Sequence, residues 1–196
     1  MTKDFGLVTL IGFLVGWLVL IPAANIGLDL TPIVILNLII GFTAMGPLAM
    51  LIMKKLAKRW KVMEQFGKFA AVGTLNSFVD LAVLNWFILF TNISFGLYFT
   101  LFKTLSFLVA KTSSYFWNKF WTFDSHTKVS WNEYWHFAIF TIIGAVLNVG
   151  VATFMVNVIS PPVGVTLKLW ANVGAVVAAF ASVGWNFFSY RHVVFK

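Results

Sequence analysis

Read for polarity alone, the chain is a series of long apolar stretches broken by short polar ones: Phe5 to Ile26, Pro32 to Met53, Phe66 to Phe90, Tyr98 to Trp121, Trp135 to Val158 and Val163 to Phe188. Each is near the roughly 20 residues that a helix needs to cross a hydrocarbon core about 30 Å thick. The runs are continuous rather than alternating, which disfavours a transmembrane barrel, and lipid then leaves only helices. The pattern predicts an all-α integral membrane protein with six transmembrane helices. The first stretch resembles a signal peptide in having Lys3 before it and Ala23 and Ala24 near its end, but its apolar length exceeds the 7 to 15 residues of a cleaved one, so it is read as retained.

Composition agrees: 60% of residues are hydrophobic, 18% aromatic and only 10% charged, which excludes a soluble globule. The net charge of +8 would raise nucleic acid as a partner of a soluble protein. Here its placement argues otherwise. Lys54, Lys55, Lys58, Arg59 and Lys61 crowd one loop, Lys119 and Lys128 another, and Arg191 and Lys196 the C-terminus, whereas loops Gly27 to Thr31, Thr91 to Leu97 and Ser160 to Gly164 hold one aspartate and no basic residue. The positive-inside rule then puts both termini in the cytoplasm. The stretch "MKKLAKRWKVMEQ" (53–65) reads as a basic cytoplasmic linker, either a short interfacial helix or a solvated topology signal. It separates an N-terminal two-helix hairpin (1–53), read as a scaffold or oligomerisation element, from a four-helix core (66–196).

Within that core, residues about 66–123 and 138–195 are similar at an offset of 72: Asn76 falls on Asn148, Asn85 on Asn157, Ser114 on Asn186, Lys119 on Arg191 and Phe123 on Phe195. Two-helix repeats of this kind are parallel in the membrane rather than inverted.

Ionisable groups at membrane depth are costly and by default line a bundle interior or wet cavity. Asp80, Lys103 and Lys111 qualify. At 1.5 Å per residue, Asp80 lies about 21 Å into the third stretch, between Lys111 and Lys103, which lie about 14 and 26 Å from the basic end of the fourth. Gly73, Asn76, Ser77 and Asp80 share one helical stripe, and Lys111, Ser114, Tyr115 and Asn118 another. A short loop makes these helices neighbours, so the stripes can enclose a polar cleft holding one carboxylate and two ammonium groups. Asp80 and Lys103 either neutralise each other structurally or bind substrate. Lys111 either snorkels to the interface or holds an anion, phosphate being the obvious one, with hydroxyl and amide donors beside it. Asn148 and Asn186 are the second repeat's candidates for the same cleft, although interhelical hydrogen bonding is the plainer role for such amides. Lys119 and Arg191 are expected at the cytoplasmic mouth. His126, His136 and His192 lack metal-like spacing, so no metal or cofactor is expected, and no nucleophile with a partner suggests an enzyme.

The segments "FGKFAAVGTLNSFVDLAVLNWF" (66–87) and "SYFWNKFWTF" (114–123), with the altered echo "SYRHVVF" (189–195), resemble the GtrA-like membrane proteins over about residues 65 to 196. The resemblance implies a four-span core that moves polyprenyl-phosphate-linked sugars across the bacterial cytoplasmic membrane for surface or wall polysaccharide glycosylation. It also implies membrane glycosyltransferases as partners, one loading the lipid and one using it. A homo-oligomer is expected because so few short helices make a shallow cleft. Two other readings stay open: a non-catalytic subunit that anchors a glycosyltransferase, and a small multidrug-type cation exporter, which two lysines beside Asp80 disfavour.

Overall fold

The structure, a computed structural model, describes residues 2–122 and 131–189. It is all helical there. The first apolar stretch forms α1 (Thr2–Leu18) and α2 (Leu20–Asn25), which continue one rod with a step at Val19. Pro22 explains the step, because its ring displaces the carbonyl of Leu18 and it has no N–H to offer. Next come α3 (Pro32–Ala57), started by proline after a Thr31 hydroxyl that accepts from Val34 N at 3.4 Å, and α4 (Val62–Thr91). Asn92, in the left-handed conformation at φ 56°, ends α4 and begins a tight turn into α5 (Gly96–Trp117). α5 runs into a single π-helical turn, Asn118–Thr122. α6 (Trp131–Asn157) and α7 (Leu167–Ser189) complete the bundle.

Three segments, Lys3–Asn25, Pro32–Ala57 and Val62–Thr91, are long and apolar enough to cross a membrane on composition alone. α5 has the length, at 22 residues, but hydroxyls and two lysines dilute its apolarity. Both lysines and two of the hydroxyls are turned inward: Lys103, Ser106, Lys111 and Ser114 are all buried. The linker forms no separate helix, because α3 extends through Lys54 and Lys55 and α4 begins at Val62, which leaves only residues 58–61 between them.

The N-terminal hairpin is held tightly in itself and to the core. α1 and α3 cross at glycines: a Cβ on Gly12 would strike the Phe42 carbonyl, one on Gly16 the Ile39 backbone, and one on Gly46 the Val8 carbonyl. Small residues let backbones meet in lipid, where apolar burial gives no drive for association. Val8, Ile11 and Val15 of α1 and Met50 of α3 then pack with Val72 and Leu75 of α4 and Trp121 of the π turn.

At the end of the bundle that carries the basic loop, Asp4 gathers three donors from three elements. Lys68 Nζ lies 2.9 Å from its Oδ1 and Lys54 Nζ 3.3 Å from its Oδ2, and Trp121 Nε1 donates to Oδ1 at 3.1 Å. Glu64 adds a second carboxylate 3.5 Å from Lys54. The hairpin is thereby clasped to α4 and to the π turn. Breaking an ion pair that is partly open to solvent costs about 1 kcal/mol. Asp4→Asn is therefore expected to lower the melting temperature of the purified protein in detergent by about 3 °C, and an additional Lys68→Met change should cost less in that background than in the wild type. Additive losses would show that the clasp does not couple the hairpin to the core.

Candidate functional site

Asp80 sits midway along α4 and meets α5. Lys103 Nζ donates to its Oδ2 in a short ion pair, and Ser106 Oγ donates to its Oδ1 at 2.5 Å. Lys103 is fully enclosed, at 0% exposure. Of the two readings left open for Lys103, the geometry shows the pairing with Asp80, and Lys103 does not line the cavity that the other residues form. Asp80 is engaged at both oxygens, which favours its charge-balancing role over direct sugar contact.

On the basic-end side of this pair the four core helices separate to leave a cavity of about 430 Å³. Its polar lining comprises Thr74, Asn76, Ser77 and Asp80 from α4, Lys111 and Ser114 from α5, Asn118 from the π turn, Asn148 from α6 and Ser182 from α7. Five of the residues expected from the sequence to share a cleft, Asn76, Asp80, Lys111, Ser114 and Asn118, do share one, together with Asn148. Tyr115 does not line it; its ring lies under Lys119, whose Nζ is 5.8 Å from the centroid. Lys119 itself is 1% exposed within the π turn, so it is not the open mouth residue that its place near the helix end suggested. A π turn shifts side-chain direction by one position relative to an α-helix, and this one carries Asn118, Lys119, Trp121 and Thr122 all inward. The Asn186 side chain and Arg191 lie outside the described residues.

The electrostatics of the cavity are set by three groups. Asp80 is shared with Lys103, and Lys111, 8% exposed, places its Nζ 5.3 Å from the centre of the Phe107 ring. Two formal positive charges to one negative leave the site cationic. The amides supply the complementary chemistry. Asn76 Nδ2 donates to Val72 O at 2.8 Å, Asn118 Nδ2 to Ser114 Oγ at 3.1 Å and Asn148 Nδ2 to Ser182 Oγ at 3.3 Å. Their oxygens, Asn76 Oδ1, Asn118 Oδ1 and Asn148 Oδ1, are buried and accept no hydrogen bond from the described residues. Buried acceptors left open in this way call for a donor from elsewhere.

A family model for the GtrA/DPMS transmembrane domain matches residues 68–195. The chain belongs to that family. No curated protein and no solved structure matches it. The membership makes it a membrane protein of polyprenyl-phosphate-sugar metabolism or translocation. It also separates the GtrA/DPMS domain, α4 to α7, from α1 to α3, which lie outside the match. Residues 116–122 of the aromatic signature, "FWNKFWT", are in this GtrA/DPMS chain the end of α5 and its π turn. The turn carries both a cavity amide, Asn118, and the Trp121 indole that reaches Asp4 of the hairpin.

The opposite half of the GtrA/DPMS domain is filled. Leu84, Ile88, Phe99, Phe102, Ala152, Ala171 and Ala175 form a buried core there. Above it Asn85 and Asn172 exchange amide hydrogen bonds, Asn85 Nδ2 to Asn172 Oδ1 at 2.6 Å and Asn172 Nδ2 to Asn85 Oδ1 at 2.9 Å, and Asn25 Nδ2 donates to Asn85 Oδ1 at 2.6 Å. Asn157 holds the start of α5 by accepting from Gly96 N at 2.8 Å. Asn76 and Asn148, one repeat apart, thus both serve the cavity, while Asn85 and Asn157 both tie helices at the sealed end. The repeat offset pairs Asn76 with Asn148 and Asn85 with Asn157; only folding shows that Asn25 and Asn172 meet at Asn85.

If Lys103 serves to neutralise Asp80, then Lys103→Met alone strands a buried carboxylate and should cost about 3 kcal/mol or more. The double change Asp80→Asn with Lys103→Met should recover most of that loss in thermal unfolding. A double variant no more stable than Lys103→Met would contradict the assignment.

Proposed function

We propose that this protein moves a polyprenyl-phosphate-linked sugar across the bacterial cytoplasmic membrane, with no covalent step, and that the basic end of the bundle faces the cytoplasm. The observation that carries the reading is the content of one cavity: a lysine ammonium beside three buried amide oxygens. A phosphodiester or phosphate is acceptor-only and takes an ammonium; sugar hydroxyls are donors and take amide oxygens. A lipid-linked sugar phosphate offers both at adjacent positions. Lys111 holds the phosphate, Asn76, Asn118 and Asn148 receive hydroxyl hydrogens, Ser114 orients Asn118, and Asp80 keeps Lys103 from competing for the anion. A volume of about 430 Å³ is within the range of small-molecule sites.

The cavity lies wholly toward the basic end, and the apolar core and the Asn85–Asn172 exchange close the other. This corresponds to a loading state. Translocation requires that the sealed end part while the basic end closes, and amide pairs suit such a contact because in membranes each interhelical hydrogen bond contributes only about 0.6 kcal/mol. A glycosyltransferase that forms the lipid-linked sugar on the cytoplasmic side and one that consumes it outside complete the cycle as partners, and consumption supplies direction.

Transport of a fluorescent polyprenyl-phosphate sugar across proteoliposomes tests this reading. Wild-type protein should equilibrate the lipid between leaflets, and Lys111→Met should reduce the initial rate by about tenfold or more, as for loss of a charge-assisted contact. Equal rates for the two proteins would remove the phosphate role and favour a subunit that positions a glycosyltransferase.

A further inference from the structure

A second cavity, about 180 Å³, lies between α1, α3 and α4. Apart from Thr74 its lining is apolar, and three methionines, Met45, Met50 and Met53, contribute to it. Methionine fits irregular chains because its side chain is unbranched and polarizable. The floor is the glycine seam, where Gly12 and Gly46 bring α1 and α3 into backbone contact, so backbone rather than side chains forms it. The rim is open: Met45 is 60% exposed, and Ala49 is exposed beside it.

This groove adjoins the polar cavity. Ala70 and Thr74, one turn apart on an exposed face of α4, line both. The Thr74 hydroxyl donates to Ala70 O at 3.0 Å, so no strong donor is left between the two spaces. Gly73, beside them, has open space where a side chain would stand. A ligand whose polar head is at Lys111 can therefore cross α4 at Ala70 and Thr74 and lay an apolar tail against the hairpin.

We infer that the groove binds the isoprenoid chain of the lipid whose phosphate is held at Lys111, and that the N-terminal hairpin is a chain-selecting element added to the GtrA/DPMS domain. The inference rests on the reading of the polar cavity given above. The chemistry requires such a second determinant. Phosphate and hydroxyls are common to abundant glycerophospholipids, so the polar cavity alone selects poorly among membrane lipids. A single tail with a methyl branch on every fourth carbon differs in cross-section from paired straight acyl chains. A small groove with a backbone floor and adaptable methionine walls discriminates on that difference. The clasp at Asp4 and the Trp121 contact hold the groove in register with the cavity.

The test is competition binding in nanodiscs with three probes: a long isoprenyl phosphate, a straight-chain alkyl phosphate of equal carbon number, and a two-isoprene phosphate too short to cross α4. Wild-type protein should prefer the long isoprenyl phosphate over the alkyl phosphate by about tenfold. Ala49→Trp, and separately Met45→Trp, should abolish that preference while leaving the two-isoprene phosphate bound as in wild type. Both positions are on the exposed rim, so folding is little affected, and the unchanged short probe confirms it. Retained preference in both variants would overturn the groove assignment alone. Failure of the wild type to bind the two-isoprene phosphate would overturn the phosphate reading and the groove with it.

Discussion

The buried pair of Asp80 and Lys103 is the constraint from which the arrangement of the core follows. Desolvating either charge alone would cost several kcal/mol, and their direct contact, with Ser106 on the second oxygen, offsets that cost only if α4 and α5 hold one register. With the register fixed, Asn76 and Asp80 face Lys111, Ser114 and Asn118 across the same space. The second lysine, Lys111, adds a further formal positive charge to the cavity wall. The same pair marks a boundary in depth: beyond it the bundle is packed with Phe99, Phe102 and alanines, and before it the helices stand apart.

Closure at one end and a cavity at the other come from different kinds of contact. The far end combines close-packed alanines on α6 and α7 with an amide exchange that spans α4 and α7 and draws in Asn25 of the hairpin. The near end is clamped from outside, by Asp4 with Lys54, Lys68 and Trp121, which leaves the interior between α4 and α7 unfilled. The hairpin touches the core at both ends, which makes it part of the working bundle although the GtrA/DPMS domain begins only at Lys68.

Much of this was legible in the sequence for a physical reason: polar residues in a chain this apolar are scarce, so helical spacing alone grouped Asn76 with Asp80 and Lys111 with Ser114 and Asn118. The 72-residue offset placed Asn148 beside Asn76, as the cavity does. Lys119 and Lys103 depend on direction at a place where spacing says little: Lys119 is buried where an open mouth position is expected, and for Lys103 the pairing with Asp80 is one of two readings left open. A π turn rotates the first inward, and a neighbouring carboxylate claims the second. Asp4 went unread since a charge at a helix terminus normally faces water, and its three partners come from segments 50, 64 and 117 positions away. The glycine seam was equally hidden, because only the facing backbone shows why Gly12, Gly16 and Gly46 must be small.

The central claim is that Lys111 makes this cavity an anion site inside the membrane. Native mass spectrometry of the protein released from detergent, after incubation with a polyprenyl phosphate and with the matching neutral polyprenol, tests it most directly. The account predicts a retained polyprenyl phosphate on wild-type protein, little retained polyprenol, and loss of that difference in Lys111→Met. Equal retention of the charged and neutral lipids by the wild type, or an undiminished difference in Lys111→Met, would contradict it.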